Sequence, residues 1–254
     1  MQAAMVYVPM VSRGKLIDWL DDELDVEHYM AEGDNLNGAL VRGTEDVERI
    51  GLCVNTTFEN IETAAEQDLD FVISHHGGWE DFDQDLLPEK KRKIEEHGLT
   101  WYIAHASLDC KDGYGVAAAL AEKLGVEIDG AFAEYEGGKA GRYGHLTVDR
   151  DEFIDRLRAV NDGDFTLVGS LPDLEDAKIG VIGGSGGAFN ELLKDTADHD
   201  IDLLVTGNAS FAGKIYMYEK GLAMITLEET SSEKWGVYRL GERVADRFTS
   251  VSLH

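Results

Sequence analysis

The chain is short of proline, cysteine and positive charge. Three prolines in 254 residues exclude a proline-rich linker. Two cysteines, Cys53 and Cys110, exclude a disulfide framework. Cys53 sits in the apolar run RIGLCVN and reads as a small buried thiol. Cys110 follows Asp109 with no CxxC partner to suggest zinc. Only 23 Lys and Arg stand against 50 Asp and Glu, a formal charge of −27, which opposes strong binding to duplex nucleic acid or anionic lipid. No apolar run reaches membrane-spanning length and the start lacks a signal pattern, so the expected compartment is the cytoplasm.

What is present is a globular composition, 43% hydrophobic with 28 glycines. The acids are spread along the whole chain instead of forming one tail. Such a surface suits a protein kept hydrated and soluble in concentrated salt.

Short runs rich in Val and Ile alternate with amphipathic helical patterns. RIGLCVN, FVISHH and LTWYIAH read as strands, and TTFENIETAAEQDLD, QDLLPEKKRKIEEHG and GYGVAAALAEKLG as helices between and after them. Thr56 or Thr57 is the expected cap of the first helix and Gly125 the stop of the third. The alternation returns after residue 177 with AKIGVIGG, DLLVTG and LAMIT as strands, and a last helix runs through EETSSEKWGVYRLGERVA. Strand and helix in turn predict an α/β fold. The expectation is two similar α/β lobes, residues 1–125 and 126–254, interdigitated or one compact domain. Each would have a central, mostly parallel sheet flanked by helices, with a cleft between the lobes.

Ligands of open α/β sheets bind beyond the carboxyl ends of strands, and the unusual residues lie there. His75 and His76 close FVISHH; His105 follows WYIA, with Asp109 four residues on; Gly184, Ser185 and Gly186 follow IGVI; Glu229 and Glu233 follow AMIT. Adjacent histidines on an extended segment point apart. They can serve two metals, or one metal and another partner. Glu229 and Glu233 are spaced i, i+4 and share a face if the helix starts by Glu229; the same spacing also makes an ordinary solvated face. Together these two imidazoles and three carboxylates form a hard N/O set suited to Zn, Mn or Fe. GGSGG is either a phosphate-cradling loop or a tight strand-to-helix turn; it lacks the P-loop lysine.

The order SHHGG, AHASLDCKDGYGVAAALAEKLG, GGSGG, DLLVTGN and GLAMITLEETSSEKWGV resembles the Nif-like dinuclear-metal family, many of whose members are described as type 2 GTP cyclohydrolase I. GDNLNGALV, residues 33–41, is similar to the family's early Asp-Asn-x-Gly segment. The resemblance implies two α/β lobes, two divalent metal ions (Zn, Mn or Fe) in the cleft and a ring-shaped homohexamer. It implies metal ligands at His75, His76, Asp109 and Glu233. Glu229 stands where the family carries a histidine, a change that favours Mn or Fe over Zn. TGNASFAGK lacks the acid and histidines the family tends to place there. The implied activity is hydrolysis of a nucleotide-like small molecule, with His105 moving the proton and GGSGG holding phosphates. The alternative is a non-catalytic metal- or ligand-binding scaffold acting through its ring.

Overall fold

The computed structural model describes residues 4–78, 83 and 85–248. The chain forms two compact units: Met1–Leu108 with Val237–His254, and Asp109–Gly236. The sequence reading divided the chain after residue 125. The structure divides it after Leu108 and returns the C-terminal part to the first unit.

The first unit carries β1 (Ala4–Ser12), α1 (Arg13–Leu24), α2 (Val26–Glu32), β2 (Gly38–Val41), β3 (Asp46–Asn55), α3 (Phe58–Glu66), β4 (Phe71–His76), α4 (Leu87–Glu96) and β5 (Thr100–Ile103). Its sheet has the order β1-β3-β4-β5-β2. β3, β4 and β5 are parallel; β1 and β2 pair antiparallel at the two edges. Every residue of β4 and β5 is buried, as central strands covered on both faces must be. Cys53, Val72, Trp101 and Ile103 face Ile61 of α3 and Ile94 of α4. Thr57 caps α3, its hydroxyl accepting from the Asn60 amide at 3.1 Å, which fixes where the helix starts.

The second unit follows α5 (Ala106–Asp109), whose last residue belongs to it. It carries α6 (Val116–Leu124), β6 (Val126–Tyr135), β7 (Gly138–Leu146), α7 (Arg150–Val160), β8 (Thr166–Val168), β9 (Ile179–Ile182), α8 (Asn190–Asp198), β10 (Leu203–Thr206), α9 (Phe211–Glu219) and β11 (Ala223–Thr226). Its sheet has the order β6-β7-β9-β10-β11-β8, parallel at the centre through β9, β10 and β11 and antiparallel outside. Leu203 and Val205 pack with Leu120 of α6 and Phe153 of α7. Leu204, between them, packs with Leu192 of α8 and Met217 of α9. That alternation is the period of two of a strand with apolar cover on both faces. The last helix, α10 (Glu229–Phe248), contributes residues 229–236 to this unit and its remainder to the first.

Two segments go beyond the sequence reading. Residues 126–137, which carry no clear strand or helix pattern, form β6 and a hairpin turn. Glu136 and Gly137 both adopt positive φ, 45° and 79°, the two-residue turn whose twist matches antiparallel strands. Residues 4–41 supply both edge strands of the first sheet together with α1 and α2.

Candidate metal centre

β4 runs through His75 and His76 before Gly77 and Gly78 turn the chain. Gly78 has φ +134°, a conformation that a side chain strains. Beneath the strand end lies a polar hub. Trp101 Nε1 donates to Thr56 Oγ1 at 2.8 Å and to Ser74 Oγ at 2.9 Å. Thr56 Oγ1 donates to the His76 carbonyl at 2.7 Å. A buried indole and two hydroxyls satisfy one another and hold the backbone that carries both histidines.

His75 is 1% exposed and His76 6%. Their ring centroids lie 4.5 Å apart, and His105 joins them at 5.4 Å from His75 and 5.6 Å from His76. Each ring has its Nδ1 on an oxygen. His75 Nδ1 meets the Ala104 carbonyl at 2.6 Å, His76 Nδ1 the Asn55 Oδ1 at 2.8 Å and His105 Nδ1 the Asp34 Oδ2 at 3.0 Å. An acceptor opposite Nδ1 fixes the Nδ1–H tautomer and puts the lone pair on Nε2. Burial, and then the neighbouring His75 and His105, hold the His76 imidazole far below its ordinary pKa, hence neutral.

Asp34 and Asn37 fix His105. Asp34 Oδ2 also accepts from the Ala106 amide at 3.0 Å and from Asn37 Nδ2 at 2.6 Å, while Oδ1 accepts from the Leu36 amide at 3.0 Å. Asn37 Oδ1 accepts the His105 amide at 2.9 Å and the Ser107 hydroxyl at 2.6 Å. Burial works to raise the Asp34 pKa. The His105 hydrogen bond and charge, with the two backbone amides, outweigh it and hold the carboxyl below its usual value. The sequence reading marked residues 33–41 only as a resemblance and missed these two roles, and those of Asn55 and the Ala104 carbonyl. The signal available was a polar Asp-Asn-x-Asn-Gly run ahead of a strand.

In the second unit α10 begins at Glu229, so Glu229 and Glu233 lie one turn apart as the spacing predicts. Glu233 is buried and Glu229 half-buried. Ser185 Oγ donates to Glu229 Oε1 at 3.1 Å. Gly184 has φ +56°, and a Cβ there would collide with Glu233 Oε1. The phosphate-cradle alternative for GGSGG asks for amides aimed outward. Instead Gly184 donates to Ser232 Oγ at 2.9 Å, Gly186 to the Gly183 carbonyl at 3.4 Å, and Gly187 to the Asn208 carbonyl at 3.1 Å. The segment is the tight turn of the two readings, a seat for the first turn of α10. Asp109 ends α5 and is half-buried.

His75 and His76 in the first unit and Glu233 in the second are each buried residues of a type that ligates metal ions. No helix of the described residues is long and apolar enough to cross a membrane.

The Duf34/NIF3 (NGG1p interacting factor 3) family model matches residues 11–254. Among curated proteins, a GTP cyclohydrolase 1 type 2 homolog of Deinococcus radiodurans is 28% identical, covering 94% of this chain and 90% of that protein. One of the same description from Archaeoglobus fulgidus is 27% identical, covering 92% and 93%. A solved structure of protein ybgI, described as of unknown function, superposes with TM-score 0.79 at 22% identity, covering 92% of this chain and 93% of that one. It shares the fold of two sheets flanked by helices.

Proposed function

The chain belongs to the Duf34/NIF3 family, and from that premise we propose that it is a cytoplasmic metal-dependent hydrolase of a nucleotide-like small molecule. Opening of a guanine nucleotide ring, as the description of its relatives suggests, is the specific case. The observation that carries the reading is the tautomer of the histidine cluster: three close rings, all with Nδ1 on oxygen. Imidazoles presented through Nε2 suit divalent transition metals.

The ligand set in this proposal is His75, His76 and Glu233, completed by Asp109 and Glu229 to hold two divalent ions, Zn, Mn or Fe. Such ions, when bound, supply Lewis acidity for a hydrolytic step. His105 is the proton carrier. Its Nδ1–H rests on Asp34, so Nε2 is the atom that takes and returns a proton. The Asp34 carboxylate orients the ring. Asn37, holding the backbone of His105 and the hydroxyl of Ser107, keeps that ring at one place.

Elemental analysis of the purified chain, with GTP, GDP and guanosine as trial substrates, tests the reading. Two divalent ions per chain and His105-dependent ring opening support it. A metal content untouched by both His75→Ala and Glu233→Ala sinks it.

One observation favours a second reading, a scaffold acting through a homo-oligomeric ring. Phe211, Ile215 and Tyr218 on α9 are 81%, 42% and 67% exposed, and their spacing places them along one helical face. An apolar stripe of this kind marks an association surface. Light scattering of the parent and Phe211→Lys decides it: a hexamer lost in the variant supports the ring.

A further inference from the structure

The second unit holds a cavity of about 300 Å³, of a size to take part of a small ligand. It opens at the carboxyl ends of β10 and β11, the position where open α/β sheets bind ligands. Thr166, Thr226, Asn208, Asp164, Glu228 and Glu229 line it. We propose that this cavity is a subsite for the vicinal hydroxyls of a sugar, here the ribose of the nucleotide-like substrate.

The lining selects by its chemistry. Three carboxylates and no lysine or arginine line the cavity, so phosphate is repelled. Leu227 is the single large apolar side chain, and no aromatic ring is present, so a flat base finds nothing to stack on. Among the described residues, Asp164, Glu228 and Glu229 do not converge as a metal-ligand group. What remains is a set of hydroxyls, an amide and carboxylate acceptors. A diol matches this, because each sugar hydroxyl both donates and accepts.

Thr226 supplies the independent sign of a ligand. It is 9% exposed, and its hydroxyl makes no hydrogen bond among the described residues. The hydroxyl is not sealed from solvent, so it is open to donate to and accept from whatever enters the cavity. Thr226 is the antiparallel partner of Thr166, so both side chains leave the sheet on one face at the cavity. Asn161, by contrast, spends both ends of its amide inside the protein, accepting from the Glu228 amide at 2.6 Å and donating to the Asp164 carbonyl at 2.7 Å. It shapes the wall and presents Glu228.

Assigning the sugar to a substrate rests on the hydrolase reading; the affinity of the cavity for a diol does not. The test is calorimetric binding of guanosine, 2′,3′-dideoxyguanosine and spermidine to the whole chain as purified, in the parent, Thr226→Val and Thr226→Ser. The expected result is guanosine affinity reduced about tenfold in Thr226→Val, the loss of one good hydrogen bond, and retained in Thr226→Ser. Dideoxyguanosine should bind weakly to all three. Thr226→Val should melt no lower than the parent, since the hydroxyl it removes is unpaired. Equal binding of guanosine and its dideoxy form, no loss in Thr226→Val, or a Thr226-dependent affinity for spermidine instead overturns the proposal. Diol-dependent binding without any turnover keeps it and counts against the hydrolase reading alone.

Discussion

The Asp34 carboxylate receives the His105 Nδ1–H at 3.0 Å although the two residues lie 71 positions apart in the chain. The same oxygen takes the Ala106 amide and the Asn37 side chain. One buried acid thereby fixes a ring, a helix start and its own loop.

That relationship has a pH signature. Asp34 has a pKa held below its ordinary value of 3.8. Its ionised form therefore stabilises the fold fully above that value, and the contribution is lost as pH falls through the lower folded-state pKa. Melting temperature should drop across this acid window in the parent and drop less in Asp34→Asn. At neutral pH Asp34→Asn should be less stable by roughly 1–3 kcal/mol, the scale for hydrogen bonds to a charged group. Thermal melts between about pH 2 and 7 check both parts.

Thr56 is the hub under the histidines, bonded to Trp101, Ser74 and the His76 carbonyl. Thr56→Val leaves the buried indole N–H with one partner fewer and the carbonyl short of a donor. A loss of about 1–3 kcal/mol is expected, a few degrees in melting temperature for a chain of this size. Metal retention should weaken with it, since the end of β4 is less firmly held. Serine at the same position should restore most of both.

Gly184→Ala should destabilise the second unit. The backbone there has φ +56° and the added methyl meets the Glu233 carboxylate. Strain at such a position is of order 1–3 kcal/mol. Asn, which tolerates positive φ better than Ala, should not rescue it, because the collision with Glu233 remains. A rescue by Asn would show that backbone conformation alone sets the need for glycine.

Glu229→His tests the ligand assignment directly. An anionic oxygen ligand favours oxygen-loving ions over Zn. The histidine variant should therefore gain Zn affinity relative to Mn in competition titrations, and Glu229→Ala should lose total metal. Identical selectivity in parent, His and Ala variants means that Glu229 serves only its Ser185 hydrogen bond.

Fifty acids against 23 bases repel one another across a Debye length of about 10 Å at ~0.1 M salt and about 3 Å at ~1 M. Melting temperature should rise steeply between those concentrations of KCl. A flat response would remove the reading of a surface adapted to concentrated salt.

How much was legible beforehand follows from locality. The central strands β4, β5, β9, β10 and β11 were readable because each is a short apolar run bounded by turn residues, buried on both faces. A cap at Thr56 or Thr57 and the stop at Gly125 are local chemistry and were readable for that reason; the structure selects Thr57 and starts α10 at Glu229. β6 was not readable, since VEIDGAFAEY mixes acids, a glycine and a register shift after Ile128, which breaks the alternation that marks a strand.

The sequence by itself determined the α/β class, the acidic surface and the placing of His75, His76 and His105 at strand ends, because those depend on composition and on patterns a few residues long. Tertiary structure alone decided what each imidazole does. The Ala104 carbonyl, Asn55 and Asp34 reach the three Nδ1 atoms from 29, 21 and 71 residues away. A tautomer is set by the atom facing the ring, and no local pattern names that atom. The same holds for GGSGG. Its glycines are readable as a turn or a cradle, and only the packed neighbours Ser232 and Asn208 show the Gly184 and Gly187 amides turned inward.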